Sequence, residues 1–303
     1  MPMDIAPRIE STPGADRPLI ITCAITGDQN KANNPNLPVT LDEQTTSAKA
    51  AVDAGASIIH IHARRPGDPD RNSDDPERYR EINESIRAVA PGALLDNTQM
   101  TIPAPDIDGL IGGVSIYTPA NLNAGPDFMS LNPGPMTFRG GETPSRALVT
   151  TFDDTARTAS LMRERGIKPQ IFIYHPGHLD ILHDLLDRGL LAPPPFVQLV
   201  FGQQGGISAT LESFLSLVRN LPPGCEYQTC ALGLAAFELN ALAILCGGHV
   251  RTGMEDTLVI RPDEPVESNA QLVNRIVRFA SEIGRPIATP EQSRQILGMS
   301  PPN

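Results

Sequence analysis

The chain contains 303 residues, 40% of them hydrophobic, which suits one large α/β domain or two small ones. Its formal net charge of -11 leaves no excess of cations for nucleic-acid phosphates, although a local basic pocket for an anionic substrate stays possible. Residues 1–17 contain no apolar signal segment, and no apolar run is long enough to span a membrane. We therefore expect a cytoplasmic protein that binds neither nucleic acid nor membranes.

The cysteines support the same compartment. None of Cys23, Cys225, Cys230 and Cys246 belongs to a CxxC pair. Cys23, Cys230 and Cys246 lie in apolar runs, which is typical of reduced cysteines in a protein core. Reduced thiols fit the cytoplasm.

The first elements in the chain are apolar strands that end in polar loops. Residues 19–24 predict a strand, and a polar loop follows at 26–30. Thr40 and Glu43 form a capping box that begins a helix ending at Gly55. After the next strand, Asp75 and Pro76 suit the N-cap and first position of a second helix.

The same alternation continues to the end of the chain. Further strands are predicted near 93–97, 113–116, 128–132, 169–174, 196–201, 227–231 and 249–252, with helices that end near 166, 189, 219, 245 and 283. About eight strands alternating with helices predict one (β/α)8 barrel over residues 1–303, with a short N-terminal extension and a terminal helix capped by Thr289. An open doubly wound sheet is the competing fold, but GxGxxG is absent after the first strand.

The second strand carries a pair of histidines. Strand side chains alternate between faces, so His60 and His62 point the same way. Two imidazoles at a strand end are a ready pair of metal ligands. Alternatively, one is a hydrogen-bonded core residue and the other is incidental.

A second polar cluster lies at residues 247–256. Arg251, Glu255 and Asp256 follow a short strand, and such groups are rarely buried without partners. In one interpretation Arg251 forms a surface ion pair with Glu255 or Asp256. In the other, Glu255 is a third metal ligand, Asp256 is a general base, and Arg251 stabilises an oxyanion. We expect a dication and Arg251 to lower the pKa of Asp256.

Six stretches of the chain resemble one family, the β-keto acid cleavage enzymes. They are ITCAITGDQNKANNPNLPVT, AGASIIHIHAR, SLNPGPMTF, GGHVRTGMEDT, ESNAQLV and GRPIATPEQSRQIL, in the family's order and spanning nearly the whole chain. The resemblance implies a (β/α)8 barrel, usually tetrameric, with one zinc held by His60, His62 and Glu255. It also implies Asp256 as the base and Arg251 as the family's arginine. Two histidines and a carboxylate also suit Fe(II).

The resemblance further implies a reaction. A β-keto acid binds the metal through its keto and carboxylate oxygens and loses its C2 proton to Asp256. The enolate attacks acetyl-CoA, and the released CoA thiolate cleaves the adduct to acetoacetate and a new acyl-CoA.

The substrate-binding residues implied by the resemblance are Asp28, Gln29, Thr98, Ser130 and Asn132. Gln29 stands where the aminohexanoate-cleaving members carry an acid that reads the substrate's amino group. Glutamine cannot neutralise an ammonium, so we expect a substrate that is neutral at that end. Asp28 keeps a cationic substrate possible.

Some positions depart from the family pattern. Phe172 and Leu234 stand where the family usually has a glutamate and an arginine, so Gln170 or Glu226 would have to hold Arg251. Phe172 and Leu234 favour one alternative, a non-catalytic or differently catalytic metal-binding barrel that captures small carboxylates. A metal-dependent aldolase or hydrolase without CoA is a third possibility. The intact Arg251, Glu255 and Asp256 favour the acyl transfer.

Two further loops are candidates for the pocket. We expect either His175 or His178 to line it and the other to be solvated or to cap a helix. Gly205 and Gly206 present backbone amides to CoA phosphates or form a plain turn.

Overall fold

The predicted (β/α)8 barrel is confirmed. The computed structural model describes residues 17–73, 75–103, 114–118, 120–138 and 146–300, so the predicted extension at 1–16 lies outside the described residues. The barrel strands are β1 (Ile21–Ala24), β2 (Ile58–Ile61), β3 (Leu94–Asn97), β4 (Phe128–Leu131), β5 (Lys168–Ile173), β6 (Phe196–Phe201), β7 (Glu226–Ala231) and β8 (His249–Thr252). Each strand pairs in parallel with the next along the chain, and β8 pairs with β1 to close the barrel.

The helices surround the barrel, and their starts are determined locally. They are α1 (Leu41–Asp53), α2 (Pro76–Val89), α3 (Phe152–Glu164), α4 (His178–Asp187), α5 (Leu211–Arg219), α6 (Ala235–Leu245), α7 (Asn269–Glu282) and α8 (Pro290–Ile296). The predicted N-caps Thr40, Asp75 and Thr289 each accept a hydrogen bond from a first-turn amide. In the described part of the chain, no helix is long and apolar enough to cross a bilayer.

The connection between β3 and β4 differs from the others. Its described portion holds a 3₁₀ helix at Ala120–Ala124 in place of an α-helix. The strand predicted at 113–116 is found at Val114–Thr118, with residue 113 outside the described residues, and it does not enter the barrel. It joins a small four-stranded sheet with Met100–Pro103, Arg146–Leu148 and Met136–Phe138.

Side chains inside the barrel change from apolar to polar along its axis. Ile20, Ile58, Leu94, Phe128 and Phe196 close the end at which the strands begin, together with Ala288 and Leu297 from the C-terminal segment. Above them lie buried polar residues, including Thr22, Gln170, Gln198 and Gln228. Chemistry is therefore confined to the carboxyl ends of the strands.

A buried arginine joins helix α7 to the carboxyl end of helix α6. The guanidinium of Arg285 donates hydrogen bonds to the carbonyl oxygens of Arg17, Ile244, Gly247 and Gly248. Its side chain is only 2% exposed, so water cannot replace these bonds.

We predict that Arg285→Met lowers the free energy of unfolding by roughly 2 kcal/mol or more, because several buried carbonyl oxygens lose their donor. Urea unfolding followed by circular dichroism measures the change. Arg278→Met, at an exposed position of helix α7, is the control and should stay near the parent value. Equal losses in the two variants would contradict a specific role for Arg285.

Candidate metal centre and active site

Two histidines and one glutamate converge at the mouth of the barrel. His60 lies on β2, and His62 lies just beyond its end, with the two ring centres 5.2 Å apart. Nε2 of His60 is 3.6 Å from Oε2 of Glu255, and Nε2 of His62 is 3.5 Å from Oε1. The three side chains each offer one ligand atom, and these atoms lie within 4.8 Å of one another.

This arrangement fits a divalent metal ion. Oε2 of Glu255 is buried and has no hydrogen-bond partner among the described residues, which is costly for a carboxylate without a cation. Two imidazole nitrogens and one carboxylate oxygen are the donor set of catalytic zinc sites that keep an open position. The structure thus brings together His60, His62 and Glu255, the three residues that the sequence analysis predicts as metal ligands.

Asp96 orients one of the histidines, a role that our sequence analysis missed. It lies beside His60 in the register of β2 and β3, and its Oδ2 is 2.7 Å from Nδ1 of His60. A carboxylate on Nδ1 fixes the tautomer that leaves Nε2 free for a metal. The available signal was an acid in the apolar run Leu94–Asn97, on the strand that neighbours the histidine pair in a barrel.

The other histidine is enclosed from the solvent side. Nδ2 of Asn72 lies 2.9 Å from Nδ1 of His62 and also contacts Asp28. Oδ1 of Asp28 is 3.8 Å from the same histidine nitrogen. Asp28 is therefore at the mouth beside a candidate ligand, with its side chain 67% exposed.

The loop after β1 supports the glutamate. Gly27 has φ +61°, and a Cβ there would overlap the side chain of Glu255. Arg64 holds this loop by donating to the carbonyl oxygens of Gly27 and Gln29 at 2.7 and 2.8 Å. The amide of Gln29 is engaged at both ends, since Nε2 donates to the carbonyl oxygen of Glu255 and Oε1 accepts from Asn33.

Arg251 forms a buried ion pair, which excludes the interpretation of a pair on the surface. Its Nε and Nη2 donate to the two carboxylate oxygens of Asp256 at 3.0 and 2.8 Å, and Nη2 also contacts Glu255. The guanidinium is only 3% exposed. Glu226 does not replace the family's glutamate, because its carboxylate lies against Arg17 and His249.

The charged groups around Arg251 shift one another's pKa values. Burial opposes ionisation of Glu255, but Arg251 and the two histidines hold the pKa of that carboxyl well below its usual range. Burial also disfavours the cation of His62, yet Glu255 raises the pKa of its imidazole above the ordinary value. Burial raises the pKa of Asp256 despite Arg251, whereas the lower value expected from the sequence assumes a dication beside it.

The remaining predicted substrate residues lie on the β3 and β4 side. Ser130 is buried, and its Oγ has no hydrogen-bond partner among the described residues. Asn132 accepts from the hydroxyl of Tyr174 at 2.7 Å, and its backbone amide donates to Gln99. Thr98 is half-buried at the end of β3.

The two loop candidates have mainly structural contacts. Nδ1 of His178 accepts a hydrogen bond from the backbone amide of Tyr174 at 3.2 Å. His175 is half-buried, and its ring lies tilted against that of His178 with the ring centres 3.9 Å apart. The amide of Gly206 donates to the carbonyl oxygen of Gln203, as in a plain turn, and helix α5 begins only at Leu211.

Fold and site together define a class: a (β/α)8 barrel with a candidate metal centre of two histidines and a carboxylate, next to a buried arginine–carboxylate pair. A family model described as beta-keto acid cleavage enzyme matches residues 18–299. The chain therefore belongs to the β-keto acid cleavage enzyme family.

Individual relatives agree with this membership. The chain is 34% identical to a 3-keto-5-aminohexanoate cleavage enzyme of Acetoanaerobium sticklandii, over 93% of this chain and 98% of that one. It is 30% identical to a 3-oxoadipate:acetyl-CoA acetyltransferase of Cupriavidus necator, over 93% and 95% of the two chains. The solved structure of ObcA with oxaloacetate shares the fold, with a TM-score of 0.66 at 18% identity over 88% of this chain and 68% of that one.

We predict that Gly27→Ala lowers metal affinity roughly 10-fold or more, because the added methyl group would push the side chain of Glu255 out of place. Loss of a residue that positions a metal ligand has an effect of this size. Competition with a chromophoric chelator measures the affinity. Gly67→Ala is the matched control, since Gly67 also has positive φ but no atom lies within 4 Å of its Cβ position. Equal affinity in both variants would show that contact with Gly27 does not position Glu255.

Proposed function

We propose that the protein is a zinc-dependent enzyme that condenses a β-keto acid with acetyl-CoA to give acetoacetate and a new acyl-CoA. The convergence of His60, His62 and Glu255 beside the Arg251–Asp256 pair carries this proposal. The relatives support it, since one of them is a 3-oxoadipate:acetyl-CoA acetyltransferase. Net charge -11 and four free cysteines support a cytoplasmic enzyme that does not bind nucleic acid, and the family resemblance supports a homotetramer.

The metal site would be formed by His60, His62 and Glu255. When bound, zinc would act as a Lewis acid that withdraws charge from the keto and carboxylate oxygens of the substrate. Asp96 and Asn72 hold the outer nitrogens of the two histidines in place. Asp28, Thr98, Ser130 and Asn132 would contact the substrate from the surrounding strand ends, whereas Gln29 would act through its hold on Glu255.

Asp256 would act as the base. Arg251 holds both oxygens of Asp256 in place and favours the ionised carboxylate that a base requires. The C2 proton of a β-keto acid is acidic because two carbonyl carbons flank it, and it moves to an oxygen of Asp256. Nη1 of Arg251 is buried and has no partner among the described residues, so it is available to the developing oxyanion.

The remaining steps balance without a further reactant. The C2 carbanion bonds to the acetyl carbon of acetyl-CoA, and the CoA thiolate leaves. That thiolate adds to the original keto carbon, and the bond between this carbon and C2 breaks. The departing carbon takes its proton back from Asp256, which gives acetoacetate and the new acyl-CoA.

We predict about one metal ion per chain in purified protein, as a single site implies. His60→Ala/His62→Ala should lose it, because one carboxylate alone binds zinc weakly at neutral pH. Elemental analysis after dialysis gives the ratio. Full occupancy in the double variant would place the metal elsewhere.

We predict that Asp256→Asn slows exchange of the C2 hydrogen with deuterated solvent roughly 10²–10⁴-fold, as loss of a general base does. Metal content and substrate affinity should stay near the parent values, because Asn keeps the shape of the side chain. The parent enzyme should consume acetyl-CoA across a panel of β-keto acids. Exchange at the parent rate would exclude Asp256 as the base, and cleavage without acetyl-CoA would support an aldolase or hydrolase.

A further inference from the structure

The barrel mouth is divided into a charged half and a neutral half. The charged half contains Arg251 on β8 and, in the segments after β1, β2 and β8, the charged residues Asp28, Arg64, Glu255 and Asp256. The neutral half consists of the segments at the ends of β5 to β7, which are residues 174–179, 201–211 and 231–237, and the first part of the connection after β4, residues 131–138. These four segments contain no Asp, Glu, Lys or Arg. The rest of the connection after β4 contains Arg139, Glu142 and Arg146, and residues 139–145 of it lie outside the described part of the chain.

An apolar patch covers the inner side of the neutral half. Its members form a cluster separate from the main core and are each between 2% and 9% exposed: Met136, Leu148, Phe172, Tyr174, Val200 and Cys230. We name this cluster the neutral wall. The apolar strand residues of the main core are almost all 0% exposed, whereas these adjacent side chains each keep a small exposed fraction. Side chains that line a pocket show such residual exposure.

The neutral wall begins at the proposed base. Sγ of Cys230 lies 3.5 Å from Oδ1 of Asp256, so the wall continues directly from the atom that would remove the C2 proton. The polar groups beside it are uncharged, and the hydroxyl of Ser130 and the amide of Gln170 have no hydrogen-bond partner among the described residues. The hydroxyl of Tyr174 donates to Asn132, and burial lowers the pKa of the neighbouring His178 to about 4, which leaves that imidazole neutral.

The positions of the histidines and of Asp256 orient the substrate relative to the charged and neutral halves of the mouth. A β-keto acid whose carboxylate and keto oxygens face the histidines and whose C2 faces Asp256 has its remaining chain directed away from β2. Beyond Asp256 in that direction lies the neutral wall. A charged group there would lose water and find no opposite charge among the described residues of the four segments.

We infer that the substrate is a β-keto acid whose chain beyond the keto carbon is uncharged and largely apolar. The inference rests on the proposed function and adds to it the chemical class of the substrate's tail. It is independent of Gln29, whose amide is engaged with Glu255 and Asn33. The neutral wall, and not the loop after β1, contacts the substrate's chain beyond the keto carbon and selects for it.

The experiment compares three six-carbon acids: 3-oxohexanoate, 5-amino-3-oxohexanoate and 3-oxoadipate. Isothermal titration without acetyl-CoA gives Kd, and acetyl-CoA consumption gives kcat/KM. We expect 3-oxohexanoate to be favoured in both by roughly 10²-fold, as expected for an unpaired charge in an apolar pocket. Equal or tighter binding of either charged acid would overturn the inference. No consumption of acetyl-CoA with any acid, but the expected order of Kd, would instead refute the proposed function alone.

A variant pair tests the location of the tail. Val200→Asp places a carboxylate in the wall, and Val200→Asn is its uncharged match in shape. We expect the Asp variant to improve binding of 5-amino-3-oxohexanoate relative to 3-oxohexanoate by roughly 10-fold, and the Asn variant to leave the ratio near the parent value. Metal content and circular dichroism report whether each variant is folded. An unchanged ratio in folded Val200→Asp would overturn the assignment of the tail to this wall, and if the variant does not fold, the order of the three parent Kd values decides.

Discussion

One buried guanidinium is the constraint on which the site depends. Arg251 contacts both Asp256 and Glu255, so a single cation compensates two carboxylates that are shielded from water. Without a cation, burial would favour the protonated form of both acids. Glu255 would then be a poor ligand, and Asp256 would be no base. The arginine thus links the proposed metal centre to the proposed base.

Barrel closure brings the site's other parts together. His60 and His62 come from β2, Asp96 from β3, and Glu255 from the segment after β8, which closes the barrel against β1. The apolar residues that stabilise the fold lie elsewhere, at the opposite end of the barrel and between strands and helices. This separation leaves the carboxyl ends free to carry uncompensated polar atoms, such as Oε2 of Glu255 and Nη1 of Arg251.

Local elements were predictable because their causes lie within a few residues. The capping boxes of Thr40 and Thr289 and the shared face of His60 and His62 follow from local geometry, and the structure shows them. The strand near 114 shows where such reasoning ends. Its apolar pattern predicts a strand, but only the pairing partners decide that it joins a side sheet and not the barrel.

The sequence by itself determined the alternation of strands and helices, the family resemblance, and the residues able to bind a metal. Only the tertiary structure decided how those residues are partnered. Asp96 reaches His60 across 36 positions, and Gln29 reaches Glu255 across 226, so neither contact leaves a local pattern. Burial likewise decided between the two interpretations of Arg251, since its ion pair lies in the interior and not on the surface. The physical reason is that solvent exclusion and charge compensation are properties of the closed barrel, whereas turns, caps and side-chain alternation are properties of the local chain.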